Sequence, residues 1–256
     1  MAGPDPLRDG HYARKQIYCP SAVVAWSHRR RFRLAEQLAA ARAGGTLLDY
    51  GCGDGTFAAM VHDRFAAVVG ADPDAAQVAD CRQRLAGCGN LRFLLTSSLE
   101  APSHAGAYDV VMCMEVLEHT TDDERRRIVD RLAFHARPDG RIVISVPIEV
   151  GPALLAKQLF RAAAAWRGQG DYRYRETYTP RELAAAVLGR RGLARAVYTA
   201  HRPGGPVDYC GHKGFDWRVL QKEIRERLEV ERRLFSPMAP LGPLLNSQVW
   251  FVCRPG

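Results

Sequence analysis

The sequence predicts an α/β protein: a doubly wound, seven-stranded, mostly parallel sheet of Rossmann-like type, with a helical N-terminal arm and insertions at the carboxyl edge of the sheet. Three observations predict it. Short apolar runs recur at βα spacing, each bounded by turn residues and followed by a segment of helical pattern. The first five runs are nearly continuous in hydrophobic character, as strands buried on both faces must be. The first run ends in a Gly-x-Gly-x-Gly turn, Gly51 to Gly55, that opens a helix.

Taken in order, residues 1–45 form the arm, with a helix expected over Ser21 to Ala41. Residues 46–256 form the main domain. Its strands are expected at Thr46 to Asp49, Val68 to Asp72, Leu91 to Leu95, Tyr108 to Met114 and Arg141 to Pro147. Helices are expected at Thr56 to Arg64, Ala75 to Ala86 and Asp122 to Ala136, the last stopped by Pro138-Asp139-Gly140. A first insertion, 148–190, carries an Ala/Leu-rich helix at Pro152 to Trp166, a polar aromatic loop from Gly168 to Tyr178 and a short helix opened by Thr179-Pro180. A sixth strand follows at Arg195 to His201. A second insertion, 203–246, joins a Gly/Pro-rich loop to a charged helix near Asp216 to Leu234, whose Leu220, Ile224, Leu228 and Leu234 fall on one stripe. That helix reads as a packed surface helix, with a lid or a homodimer contact as the alternative. Gln248 to Cys253 supplies the seventh strand.

Composition narrows the function classes. Hydrophobic residues make up 47% and charged residues 25%, values of a soluble globular chain rather than a fibrous or disordered one. The longest apolar candidate, Leu154 to Trp166, is interrupted by Lys157, Gln158 and Arg161 and is too short to span a membrane. Residues 1–15 lack the apolar core of a secretory signal, so a cytoplasmic location without a membrane partner is expected. Seven cysteines without CxxC spacing read as reduced thiols, and Cys52, Cys113, Trp26 and Trp166 as packing residues. The net charge is +8, yet 32 of the 36 basic residues are arginine and they are spread along the chain. Nucleic acid is therefore not expected as the partner.

The chemistry concentrates in Leu47-Leu48-Asp49-Tyr50-Gly51-Cys52-Gly53-Asp54-Gly55-Thr56. Glycines in such a turn let the backbone approach a ligand and aim N–H groups at it. Asp72 ends the second strand, 23 residues after Asp49, where a carboxylate accepts both hydroxyls of an adenosine ribose. A dinucleotide loop would place glycine at the sixth position from Gly51, but Thr56 stands there. Asp49 would also repel a pyrophosphate. The carboxylate suits a ligand carrying an ammonium and a sulfonium, and S-adenosylmethionine is such a ligand.

The segments LLDYGCGDGTF, VVGADPD, FLLTSSLE, YDVVMCMEVLEH and RPDGRIVISVP follow one another over residues 46–147. In their order and spacing the chain resembles the class I S-adenosylmethionine-dependent methyltransferases, and YDVVMCMEVLEH is similar to the ubiquinone-type O-methyltransferase branch. The resemblance implies that Asp49, Gly51 and Gly53 line the methionine end of the cofactor and that Asp72 binds its ribose. Ser97 or Ser98 would lie by the adenine, where many relatives carry Asp. Met114 and Glu115 would lie near the sulfonium. Arg31, 18 residues before Asp49, stands at the offset where the ubiquinone-type enzymes hold the cofactor carboxylate; the alternative is a solvated basic helix face.

Methyl transfer to a hydroxyl is an in-line displacement, so the protein must align two reactants and remove a proton. His119, following Glu118 beyond the fourth strand, is the expected base, with helix capping as the alternative role of the pair. Glu115, Glu118 and His119 form an E-x-x-E-H pattern that resembles the metal site of the small-RNA 2′-O-methyltransferases and would hold a divalent ion such as Mg2+. Those enzymes use a second histidine downstream, where alignment on Thr179 places Tyr174 here. His135, His201 and His212 are substitutes only if the fold brings one in. The loop residues Asp171, Tyr172, Arg173, Tyr174, Arg175 and Tyr178 suit sugar hydroxyls, phosphates or stacked bases. The expected function is O-methylation of a small polar acceptor, a saccharide or secondary metabolite; an RNA 2′-O-methyltransferase and a non-catalytic cofactor-binding scaffold are the alternatives.

Overall fold

The computed structural model describes residues 7–166, 177–189, 193–202 and 205–256. Strands β1 (Thr46–Tyr50), β2 (Ala67–Asp72), β3 (Leu91–Leu95), β4 (Tyr108–Met114) and β5 (Ala136–Pro147) run parallel. Two more, β8 (Leu228–Ser236) and β9 (Gln248–Pro255), complete one sheet in the order β3-β2-β1-β4-β5-β9-β8, with β9 antiparallel to both β5 and β8. The strand order reverses between β1 and β4, which opens a crevice at their carboxyl ends.

Successive residues of a strand point to opposite faces, and the two cores follow from that alternation. Leu47, Val68, Val110, Met112, Val143 and Trp250 face one side, against Phe32, Ala35 and Leu38 of α1 (Ala22–Ala40) and Phe57 and Val61 of α2 (Thr56–Val61). Leu48, Val111, Ile142, Ile144 and Phe251 face the other, against Ile128 and Leu132 of α4 (Asp122–His135) and Leu220 and Ile224 of α7 (Trp217–Arg225). Each large side chain buried this way contributes roughly 1.5 to 3 kcal/mol. Helix starts carry their expected oxygens: Asp74 caps α3 (Ala75–Arg84), Thr121 caps α4, Asp216 caps α7, and Thr179 with Glu182 forms a capping box on α6 (Pro180–Val187).

The seven-stranded sheet is present, with two differences of membership. The run at Arg195 to His201 becomes β6 (Val197–Arg202), which pairs only with β7 (Gly205–Cys210) as a separate antiparallel hairpin. The seventh strand of the sheet is β8, lying within the segment expected to be helical to Leu234. Leu220 and Ile224 are helical and packed in the core, but Leu228 opens the strand, so its four-residue spacing from Ile224 is coincidental. The register shift between Val230 and Arg232 interrupts the period-two alternation that would have revealed β8. In addition, β5 begins at Ala136, opposite Tyr108, so the helix before it ends ahead of Pro138. α5 (Pro152–Trp166) lies where expected, and a four-residue helix, α8 (Gly242–Leu245), precedes β9. Residues Asp171 to Arg175 of the polar loop lie outside the described residues. Among the described residues no helix is long and apolar enough to cross a membrane.

Candidate active site

At the carboxyl end of β1 the chain must turn sharply, and the glycines permit it. Gly51 has φ +78°, and a Cβ there would lie 2.3 Å from Cγ2 of Val116. Gly53 has φ +52° with open space where its Cβ would be, so ligand atoms can approach the backbone. Asp72, at the end of β2, accepts from the N–H of Gly53 (2.9 Å) and of Asp74 (2.9 Å), which sets it against the turn. Asp49 is buried, and its Oδ2 has no hydrogen-bond partner among the described residues. Burial, with Asp72 and Asp54 nearby, pushes its carboxyl up to about 7. An orphaned buried carboxyl beside an open glycine turn fits a ligand ammonium.

The N-terminal arm closes over this turn. The N–H of Tyr12 donates to Asp54 (2.7 Å), which also accepts from the N–H and hydroxyl of Thr56. Arg31 is buried rather than solvated, with Nη1 3.2 Å from Glu115 and Nη2 donating to Nδ1 of His28 (2.9 Å). The Tyr12 hydroxyl meets the same nitrogen at 2.7 Å, and burial lowers His28 to about 4. Glu115 takes φ +56°, a left-handed conformation rare for a side chain of its size, and its buried Oε1 has no hydrogen-bond partner among the described residues. Met114, partly buried, precedes it at the end of β4. Ser98 is exposed on a short helical turn after β3.

Past Glu115, the turn Leu117–His119 carries Glu118 and His119. Glu118 is fully buried, and neither carboxylate oxygen has a hydrogen-bond partner among the described residues. Burial first, then the charges of Glu115 and Glu149, hold its carboxyl well above the usual range. His119 is half-exposed; its Nδ1 lies 3.2 Å from the carbonyl of Cys210 and its Nε2 3.8 Å from Glu118. A carbonyl only accepts, so Nδ1 carries the proton and Nε2 is the basic nitrogen of the neutral ring.

His212 joins this pair from the far end of the chain, its ring centroid 4.7 Å from that of His119. Ligating atoms of Glu118, His119 and His212 all lie within 4.8 Å of one another. The E-x-x-E-H reading is therefore corrected in its membership: Glu115 turns to Arg31, and His212 stands in the cluster instead. Glu149, buried just beyond β5, pairs with Lys157 (2.7 Å) and lies 3.9 Å from Nδ1 of His212. Sequence reasoning passed over Glu149 and Lys157. The signal was a lone carboxylate within the apolar run Ile148-Glu149-Val150 at the end of a core strand.

The reversed strand order, the glycine turn and the acids ending β1 and β2 define a Rossmann-like α/β protein with a ligand crevice at its switch point. A family model described as a methyltransferase domain matches residues 25–195, and the chain belongs to that family, the class I S-adenosylmethionine-dependent methyltransferases. It is similar to the ubiquinone biosynthesis O-methyltransferase of Cronobacter sakazakii, 38% identical over 112 residues, which are 41% of this chain and 45% of that protein. The chain thus spans under half the length of that curated relative. Among solved structures, a Pyrococcus horikoshii protein matches with a TM-score of 0.61 at 13% identity, covering 99% of this chain and 100% of the other. An N-methyltransferase from Bradyrhizobium japonicum, in complex with S-adenosyl-L-homocysteine, matches with a TM-score of 0.52 at 13% identity over 100% of this chain and 93% of its own. At these identities the solved structures establish the fold.

Proposed function

We propose that the protein transfers a methyl group from S-adenosylmethionine to a hydroxyl of a small polar acceptor, a saccharide or secondary metabolite. The observation that carries this reading is one of placement. The Asp49 turn and the Glu118–His119 pair lie at the carboxyl ends of the neighbouring strands β1 and β4, paired in register through Asp49 and Met112. The cofactor supplies the activated methyl. The chain holds the cofactor ammonium at Asp49 and its ribose at Asp72, while Arg31, already paired with Glu115, is placed for the cofactor carboxylate. Nε2 of His119 takes the acceptor proton as the new O–C bond forms and the methyl group's bond to sulfur breaks, leaving S-adenosylhomocysteine as the neutral thioether. His212, half-exposed beside His119, favours an acceptor rich in hydroxyls over an apolar one.

The orphaned oxygens of Glu118 beside two imidazoles support a second reading, in which Glu118, His119 and His212 hold a divalent cation such as Mg2+. Such an ion would bind the acceptor oxygen and ease its deprotonation. Incubating the protein with radiolabelled S-adenosylmethionine and a fractionated cell extract, with and without chelator, tests both. Label in a small-molecule or glycan fraction, insensitive to chelator, is the expected result. Chelator-sensitive label moves His119 from base to ligand. Label in the RNA fraction overturns the acceptor class, and no transfer to any fraction overturns the activity.

A further inference from the structure

Glu118 and His119 sit on one turn, whereas His212 arrives more than ninety residues later, after the β6–β7 hairpin. Something must clamp the two segments at side-chain distance. We propose that Arg195 is the positioning residue that does so, and this rests on the reading that the three side chains act together.

Its guanidinium donates to the carbonyls of Glu118 and Thr120 (3.2 Å) on one segment and to that of Gly211 (3.5 Å), next to His212, on the other. The group lies 5.3 Å above the ring of Phe215 and is 14% exposed. Among the described residues its one carboxylate partner is distant: Asp122 is 3.9 Å away and makes its nearer pair, at 3.0 Å, with Arg125. A largely buried cation directed at backbone carbonyls is costly unless the geometry it imposes is useful. The planar fork is what lets one side chain bridge two segments, and an ammonium point charge lacks it. Arg195 also precedes β6, whose partner β7 ends at Cys210, the acceptor for Nδ1 of His119. Both histidines therefore depend on the strip that Arg195 fastens. Beside the guanidinium opens a cavity of about 570 Å³, lined in part by Phe215, Val197 and Cys210, wide enough to admit a small guanidinium compound.

The test uses Arg195→Lys and Arg195→Ala with three readouts. These are S-adenosylhomocysteine affinity by calorimetry, the nuclear Overhauser effect between the His119 and His212 rings, and the cofactor KM and kcat of methyl transfer. Wild type should show the ring-to-ring effect. Both variants should keep cofactor affinity within about twofold and lose most of that effect, with kcat falling roughly 10- to 100-fold as for a misplacement near 1 Å. Ethylguanidinium should restore the effect in Arg195→Ala. Absence of the effect in wild type, or its full retention in Arg195→Lys, overturns the proposal. So does parallel loss of cofactor binding in Arg195→Lys, the sign of general damage; that variant decides the matter should Arg195→Ala fail to fold. A wild type that shows the effect but transfers no methyl group sinks the catalytic reading while leaving the clamp standing.

Discussion

The two halves of the site are built on different principles. The half proposed to hold the cofactor is mostly local: Asp49, Gly51, Gly53 and Asp72 come from two adjacent paired strands and the turn after the first, with Arg31 added from α1. The acceptor half is assembled: Glu118 and His119 from one turn, Glu149 from the end of β5, His212 from beyond a separate hairpin, with Arg195 before that hairpin bridging. In the first half backbone conformation defines the site, and in the second tertiary contacts do. Damage should therefore stay local in the first and spread in the second.

The largest effect expected is on the assembled half. His119→Ala should lower methyl-transfer kcat by roughly 10² to 10⁴ while S-adenosylhomocysteine affinity stays put, as for loss of a base or ligand; unchanged turnover would leave the residue only its structural contact with the Cys210 carbonyl. Next comes the scaffold beneath it. Arg125 of α4 forms a buried two-pronged pair with Glu223 of α7 at 2.6 and 2.7 Å. Arg125→Met leaves that carboxylate only the more distant Arg126, 4.0 Å away, and should cost about 3 to 5 kcal/mol in urea unfolding; a loss under about 1 kcal/mol would mean the assembled half is not held this way.

The local half should respond chiefly in binding. Asp72→Ala removes a charged acceptor worth roughly 1.5 to 3 kcal/mol, so cofactor affinity should fall about 10- to 150-fold, and the unfolding midpoint should also fall because the N–H groups of Gly53 and Asp74 lose their acceptor. Affinity that survives would break the ribose assignment. A smaller, graded effect comes from pH. Asp49 sits at about 7, and a bound ammonium favours its ionised form, so binding below that pH must first expel a proton. Affinity for S-adenosylhomocysteine should weaken as pH falls through 7, by about fiftyfold between pH 7 and 5, with proton release on binding; a flat profile would remove the ammonium from Asp49. The smallest expected effect is at Ser98, which is exposed on its turn. Ser98→Ala should weaken cofactor affinity by about 2- to 10-fold, the loss of one neutral hydrogen bond of roughly 0.5 to 1.5 kcal/mol. Unchanged affinity would take that turn away from the adenine.

The same division governs how much could be read in advance. Strands β1 to β4 and the glycine turn declare themselves because a buried parallel strand is a continuous apolar run and a left-handed turn demands glycine. Arg31 was a candidate by its offset, yet nothing in a run of basic residues says which one the fold will bury. β8 hid behind a register shift, and β7 within a Gly/Pro-rich stretch that reads as loop. His212 was one of several histidines, and its membership in the cluster depends on where an independent hairpin docks.

What the sequence determined by itself is therefore the five parallel strands, the crevice at their switch point and the glycine turn between its two acids. Those follow from periodicities and backbone requirements that act over a few residues. Only the tertiary structure decided that Glu115 turns to Arg31, that His212 and Glu149 join Glu118 and His119, and that Arg195 spans the two segments. Contacts between residues this far apart in the chain are set by how separately formed pieces pack, and packing leaves no local pattern to read.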